Sequence, residues 1–158
     1  MRLWVAPQGL HVEPAKTEDA ERLAELHAGA FFRGWAAADF AAYAIDPRTP
    51  TYVVCDVRRR IAGFLTVRIA GEEAEILTVA VDRRWRGKRL GTALLEAAID
   101  DLTRSPVKKL FLEVDEANLA ARRLYARFGF TETGSRRDYY QAQGGKGAAA
   151  LVLRLDLG

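Results

Sequence analysis

The stretch Glu75-Ile-Leu-Thr-Val-Ala-Val81-Asp-Arg-Arg-Trp-Arg-Gly-Lys-Arg-Leu-Gly-Thr92 changes character twice. Its first part is apolar and rich in β-branched residues, which predicts a largely buried strand over 75–81. Its second part gathers Arg84, Arg86, Lys88 and Arg89 around Gly87 and Gly91. Apolar residues then return at helical spacing (Leu90, Leu94, Ala97, Ala98, Leu102) until Ser105-Pro106 stops them. A basic, glycine-containing turn between a strand and a helix suits an anion. The first N–H groups of the helix have no partner within it, the dipole is positive there, and glycine lets backbone come close. Phosphate binding and a merely solvated basic turn are both open on these residues. Two better-known phosphate patterns are excluded, because neither Gly-Lys-Ser/Thr nor Gly-x-Gly-x-x-Gly stands at the required spacing.

Outward from this stretch the elements alternate. Leu110–Val114 reads as a strand, 118–128 as a helix closed by Gly129, and Phe130 onward as strand again. The span 75–133 is therefore strand–helix–strand–helix–strand. Upstream, Leu10–Glu13 is a short strand, and Thr17 is the expected N-cap of a helix running to about Phe31, with Glu18, Asp19 and Glu21 in its first turn. Gly34 breaks that pattern, a second short helix covers 35–45, and Asp46-Pro47 ends it. The runs 51–55 and 61–69 form a hairpin across the charged turn Asp56–Arg60. A last strand over 149–157 follows Gln143-Gly-Gly-Lys-Gly147, which reads as flexible. The class is mixed α/β, and with no internal repeat or long linker one domain over 1–158 is the economical expectation.

Composition narrows the chemistry. The 158 residues carry 24 Lys+Arg against 21 Asp+Glu, a net charge of +3, which hints only weakly at anionic partners. With 49% hydrophobic and 28% charged residues, wholesale disorder is excluded. The single cysteine, Cys55, cannot form an intramolecular disulfide, and with only His11 and His27 as imidazoles a metal site is not expected. No run approaches the ~20 apolar residues of a membrane span, and the first residues lack the pattern of a signal peptide, so the expectation is cytoplasmic with no membrane partner. Cys55 reads as a buried strand residue and His27 as packing or surface. Arg58-Arg59-Arg60 reads as a solvated hairpin turn without the aromatic interleaving of a dedicated nucleic-acid stripe.

The second informative constellation is Asn118-x-x-Ala121-x-x-Leu124-Tyr125-x-x-x-Gly129-Phe130. Here the chain resembles the GCN5-related N-acetyltransferases, whose later motif it matches at every fixed position. Their pyrophosphate motif, Arg/Gln-x-x-Gly-x-Gly/Ala, is matched as Arg86-Gly-Lys-Arg-Leu-Gly91, with Arg89 where glycine is usual. The resemblance covers about residues 10–157. It implies a mixed, mostly antiparallel sheet with helices on both faces and two adjacent parallel strands, 75–81 and 110–114, that splay apart. It also implies acetyl-coenzyme A as donor, its pantetheine along Val79, Ala80 and Val81. Its pyrophosphate would lie on Arg86, Gly87, Lys88, Arg89, Leu90, Gly91 and Thr92, with Asn118 a further contact or simply a helix cap.

Within the family the sequence is most similar to the ribosomal-protein-alanine N-acetyltransferases, the RimI type. Leu112-Glu113-Val114-Asp115 stands for their Leu-Glu-Val-Arg, Arg136-Arg137-Asp138-Tyr139-Tyr140 for Arg-Arg-x-Tyr-Tyr, and Trp35 with Phe40 for Trp-Ser-x-x-x-Phe. The departure is Gly147-Ala148-Ala149, where Glu-Asp-Ala is frequent. This likeness implies direct attack of a protein N-terminal α-amine, in a ribosomal protein or another peptide, on the thioester. Such a transfer needs a base for the ammonium proton, an acid for the leaving thiolate and a donor for the oxyanion. The resemblance makes Glu113 the base and Tyr125 the acid, while Glu75 is a rival base. Glu113 as an arginine partner and Tyr125 as a core aromatic are the structural alternatives. A small amine or lysine acceptor, and a non-catalytic coenzyme A-binding module, are the functional ones.

Overall fold

The computed structural model describes residues 2–30, 35–136 and 150–158. The strands are β1 (Trp4–Val5), β2 (His11–Pro14), β3 (Thr51–Cys55), β4 (Ile61–Ala70), β5 (Glu73–Val81), β6 (Lys109–Asp115), β7 (Thr131–Arg136) and β8 (Ala150–Asp156). They form one sheet in the order β1-β2-β3-β4-β5-β6-β8-β7. Every neighbouring pair is antiparallel except β5–β6. The helices are α1 (Ala20–Ala30), α2 (Ala37–Ile45), α3 (Leu90–Thr103) and α4 (Leu119–Arg127).

Strand alternation splits the core between the two faces of the sheet. On one face Leu94, Leu95 and Ala98 of α3 and Tyr125 of α4 pack with Val12, Leu65, Leu110 and Leu112. On the other, Leu23 and Leu26 of α1 and Phe40 of α2 pack with Val53, Cys55, Phe64 and Ala80. Each of the leucine, valine and phenylalanine side chains taken from water contributes about 1.5–3 kcal/mol. Strand β1 escapes recognition in the sequence because two residues carry no periodicity. It is held from the side, where the Trp4 indole N–H donates to Asp100 at 2.8 Å and its ring meets Tyr52 edge-on.

Local starts differ in detail from the sequence reading. Thr17 does not cap α1. A 3-10 turn, Thr17–Asp19, leads into the helix, and the Asp19 carboxylate reaches back to the Lys16 N–H at 2.8 Å. Arg59 is also only partly exposed, unlike its exposed neighbours Arg58 and Arg60. It lies at φ +58° in the hairpin turn, and its guanidinium is paired with Glu13 and with Asp19 at 2.7 Å, tying the turn to β2 and to the start of α1. Phe31, Gly34, the segment Arg137-Asp138-Tyr139-Tyr140 and Gln143–Ala149 lie outside the described residues.

Two irregularities shape the centre of the sheet. Strands β5 and β6 pair only at Glu73–Lys109, Ala74–Leu110 and Glu75–Phe111. Beyond that point β5 stays bonded to β4 as far as Val81, and β6 to β8 as far as Asp115, so a wedge opens between them. Within β5, Thr78 pairs with Thr66 but Ile76 with Val67, which leaves Leu77 as an extra residue. A bulge of this kind reverses the alternation. Ala74 and Ile76 face α3 before it, whereas Val79 and Val81 face α3 after it and Ala80 faces α1.

Candidate active site

Among the described residues, the wedge has backbone groups on both walls with no ladder partner, from Ile76 to Val81 on β5 and from Leu112 to Asp115 on β6. Such groups are costly unless something pairs them, and an extended chain with amides can do so in the manner of an added strand. Val79, Ala80 and Val81 all lie on the unpaired length of β5, with Ala80 buried and the two valines half-buried.

At the open end of the wedge, Asp82 organises the turn that leads to α3. Its carboxylate accepts the Arg84 N–H at 3.0 Å and the Arg22 guanidinium at 2.7 Å, and these bonds hold it well below the usual carboxylate range. Arg86, Gly87, Lys88 and Arg89 follow in an exposed turn. No side chain caps α3, and the Ala93 N–H is the first to bond back, to Arg89 O at 3.1 Å. The N–H groups of Leu90, Gly91 and Thr92 are thus the open first turn, which contains no acidic residue. A Cβ at Gly91 would project into open space, so the approach to these groups is clear. Leu90 itself is a core side chain and can contribute only its N–H. The residues fit a diphosphate.

Arg89 stands at φ +62°, the left-handed region, as does Gly87 at +76°. This gives the family's glycine its physical reason, since a side chain in that conformation costs about 1–2 kcal/mol. A cavity of about 210 Å³ lies beside this turn, lined in part by Arg22, Val81, Asp82 and Arg86.

The two proposed proton carriers come from opposite faces. In β6, Leu110, Leu112 and Val114 face α3, so Phe111 and Glu113 face the other way. Glu113 lines a cleft of about 370 Å³ with Arg68, Glu73, Glu75, Phe111 and Val152, and the rival Glu75 therefore sits in the same cleft. Tyr125 is on the α3 face, buried and edge-on to Phe130 at 5.7 Å between ring centres. Burial pushes its phenol above the ordinary tyrosine value, which keeps it protonated at neutral pH. Asn118 caps α4, its Oδ1 accepting the Ala121 N–H at 3.1 Å.

Other singled-out residues take structural places. His27 is buried against Trp35 (4.5 Å, stacked) and Phe40, accepts the Trp35 N–H at 3.0 Å, and is held below its usual pKa by burial. Cys55 is a buried strand residue, its thiol pushed up to about 11 by burial and by Glu13. The sheet register does bring His11 opposite Cys55, 3.6 Å from sulfur, with Glu13 2.9 Å from the same imidazole nitrogen. These three ligand-type groups lie within 4.8 Å of one another, a proximity that sequence spacing did not reveal. Burial alone would raise the Glu13 carboxyl, but hydrogen bonds from Arg59 and His11 outweigh it and hold the group down. The cluster is a hydrogen-bonded network across β2 and β3, joined by Arg59.

A split β5–β6 pair feeding an uncapped helix start through a basic turn defines a class. The chain belongs to the acetyltransferase (GNAT) family, whose sequence profile matches residues 20–130. It is an acetyltransferase of that family, and its similarity runs to enzymes of the RimI type. It is 34% identical over 146 residues to N-alpha-acetyltransferase RimI of Mycobacterium tuberculosis, covering 89% of this chain and 88% of that one. It is 38% identical over 93 residues to the ribosomal protein bS18-alanine N-acetyltransferase of Escherichia coli K12, a match that spans 59% of this chain and 63% of the relative. The crystal structure of the Escherichia coli ribosomal-protein-S18-alanine N-acetyltransferase superposes with a TM-score of 0.83 at 29% identity, covering 94% of each chain.

Proposed function

We propose that this protein transfers an acetyl group from acetyl-coenzyme A to a protein N-terminal α-amine, with an N-terminal alanine, as in a ribosomal protein, the preferred acceptor. The observation that supports the reading is the wedge between β5 and β6, with Glu113 in the cleft on one face of the sheet and Tyr125 buried on the other. The bound donor supplies an acetyl thioester. The β5 edge from Val79 to Val81 orients it, and the N–H groups of Leu90, Gly91 and Thr92 hold its diphosphate, with Arg86, Lys88 and Arg89 adding charge. Gly87 gives the backbone reversal, and Asn118 stands at the neighbouring helix start.

The amine approaches from the cleft side, where Glu113 takes its proton directly or through a water. The new C–N bond forms as the C–S bond breaks, Tyr125, on the far face, gives its hydroxyl proton to the departing sulfur, and the second proton shed by the nitrogen returns through solvent to the phenolate. A base and an acid on opposite faces let attack and departure proceed without sharing one group. The similarity to RimI-type enzymes supports the α-amine as acceptor, and among the described residues the cleft's lining of Glu73, Glu75 and Glu113 against Arg68 suits an incoming ammonium.

The test is thiol release from acetyl-coenzyme A with a panel of acceptors: a peptide beginning with the ribosomal protein's alanine, the same peptide with a blocked N-terminus and a lysine, and a polyamine. The expected result is turnover of the free alanine peptide well above the other two. Preference for the lysine peptide or the polyamine would reject the α-amine reading.

A further inference from the structure

Thr78 is a buried residue whose hydroxyl has no hydrogen-bond partner among the described residues. A buried polar atom left unpaired is costly, so its retention asks for a use. Its position supplies one. Thr51, Thr66 and Thr78 stand in register across β3, β4 and β5. Thr51 and Thr66 satisfy one another at 3.1 Å, and Thr51 also reaches the Thr49 carbonyl at 3.3 Å. Thr78 ends the row at the wall of the wedge, where β5 has lost β6.

The bulge at Leu77 decides which way Thr78 faces. Because the alternation reverses there, Thr78 shares the face of Ala80, the side of the sheet that also carries Glu75 and Glu113. From the closing pair Glu75–Phe111, Glu113 is two residues along β6 and Thr78 three along β5, one of them the bulge. At about 3.3 Å per residue the two residues stand at similar distances from that closing pair, on facing strands and on one face of the sheet. Glu113 lines the cleft there, and the Thr78 hydroxyl is buried and unpaired on the facing strand.

We infer that Thr78 Oγ1 binds the acceptor amine, accepting a hydrogen bond from one N–H while a second N–H faces Glu113. This rests on the reading of the Glu113 face as the acceptor side. Two acceptors on opposite walls fix the nitrogen so that its lone pair is directed into the wedge, which a single carboxylate does not do. Threonine at this position is then a substrate-binding residue, and the unpaired hydroxyl of the free protein is the cost of keeping it ready.

The experiment compares wild type with Thr78→Val, which keeps the shape and removes the hydroxyl, and Thr78→Ser, which keeps the hydroxyl. Steady-state kinetics are run on whichever acceptor of the panel above the wild type turns over best. Coenzyme A titration and thermal unfolding are measured alongside. Expected for Thr78→Val is a loss of about ten-fold in kcat/KM for the acceptor, with coenzyme A affinity unchanged and Tm no lower than wild type. Thr78→Ser should stay within about two-fold on the same scale. Wild-type kcat/KM in the valine variant overturns the inference. So does a loss that comes with weaker coenzyme A binding or a lower Tm, or one that serine fails to rescue, because those mark a packing role. The identity of the best acceptor tests the α-amine reading separately, and the Tm comparison needs no acceptor at all.

Discussion

An α-amine has a pKa near ~8, so at pH 7 the neutral nucleophile is a minority and a base beside it counts. Placed in the cleft, Glu113 is the group whose removal should show this. Glu113→Gln is expected to lower turnover by about 10²- to 10⁴-fold, the range of general acid–base groups, with coenzyme A affinity nearly unchanged. That defect should shrink as pH rises past the amine pKa, because solvent then delivers the neutral amine. Tyr125→Phe should lose a similar factor without pH relief, since the role proposed for it is donation to sulfur and burial already keeps the phenol protonated across this range. Rates against pH for both variants on one verified acceptor make the check. Wild-type-like rates in Glu113→Gln would move the base to Glu75, which shares the cleft.

Between residue and sheet, the turn from β5 into α3 hangs on Asp82. Its carboxylate joins that turn, through Arg84, to α1, through Arg22, which also donates to the Ile61 carbonyl at 3.0 Å. The carboxyl is depressed in the folded protein, so it contributes stability that is complete above the ordinary carboxylate pKa of ~3.9 and is lost as pH falls below it. Asp82→Asn should therefore cost about 2 kcal/mol at pH 7, the worth of charge-assisted bonds, and thermal unfolding should find the two proteins converging between about pH 4 and pH 2. A constant gap over that range would place the loss elsewhere. The same turn shows what a sequence reveals and what it hides. The basic cluster, the glycines and the helical spacing from Leu90 are local, so the strand, the turn and α3 were all legible. The Leu77 bulge was not, because Ile76-Leu77-Thr78-Val79-Ala80-Val81 is apolar enough for either face and its parity leaves no mark. Arg59 was misread for a related reason. A run of three arginines looks solvated until the fold brings Glu13 and Asp19 to the middle one. The opposition of Glu113 and Tyr125 across the sheet likewise belongs to topology, although each residue was marked by its motif.

Across the whole molecule, the sheet is nearly two sheets. The five strands β1–β5 and the three strands β6, β8 and β7 meet through the short β5–β6 ladder at residues 73–75 and 109–111. Covalent continuity through α3 and the core beneath it holds the halves together, while the wedge leaves the upper half of that seam without hydrogen bonds. A ligand that lies along β5 and ends on the first turn of α3 would complete the seam. Binding to the folded state alone stabilises by about 2.7 kcal/mol at a hundred-fold excess over Kd, which in a chain of this size is roughly 5–10 °C in Tm. Coenzyme A itself is the probe. Amide exchange should slow most at residues 76–81 and 90–92, the stretches with unpaired groups that such a ligand would cover, and little in β1–β3, which lie away from the seam. Protection spread evenly over the sheet would mean general stabilisation without a filled seam. Protection at 90–92 alone would mean a diphosphate site with no added strand, and the wedge would then need another occupant.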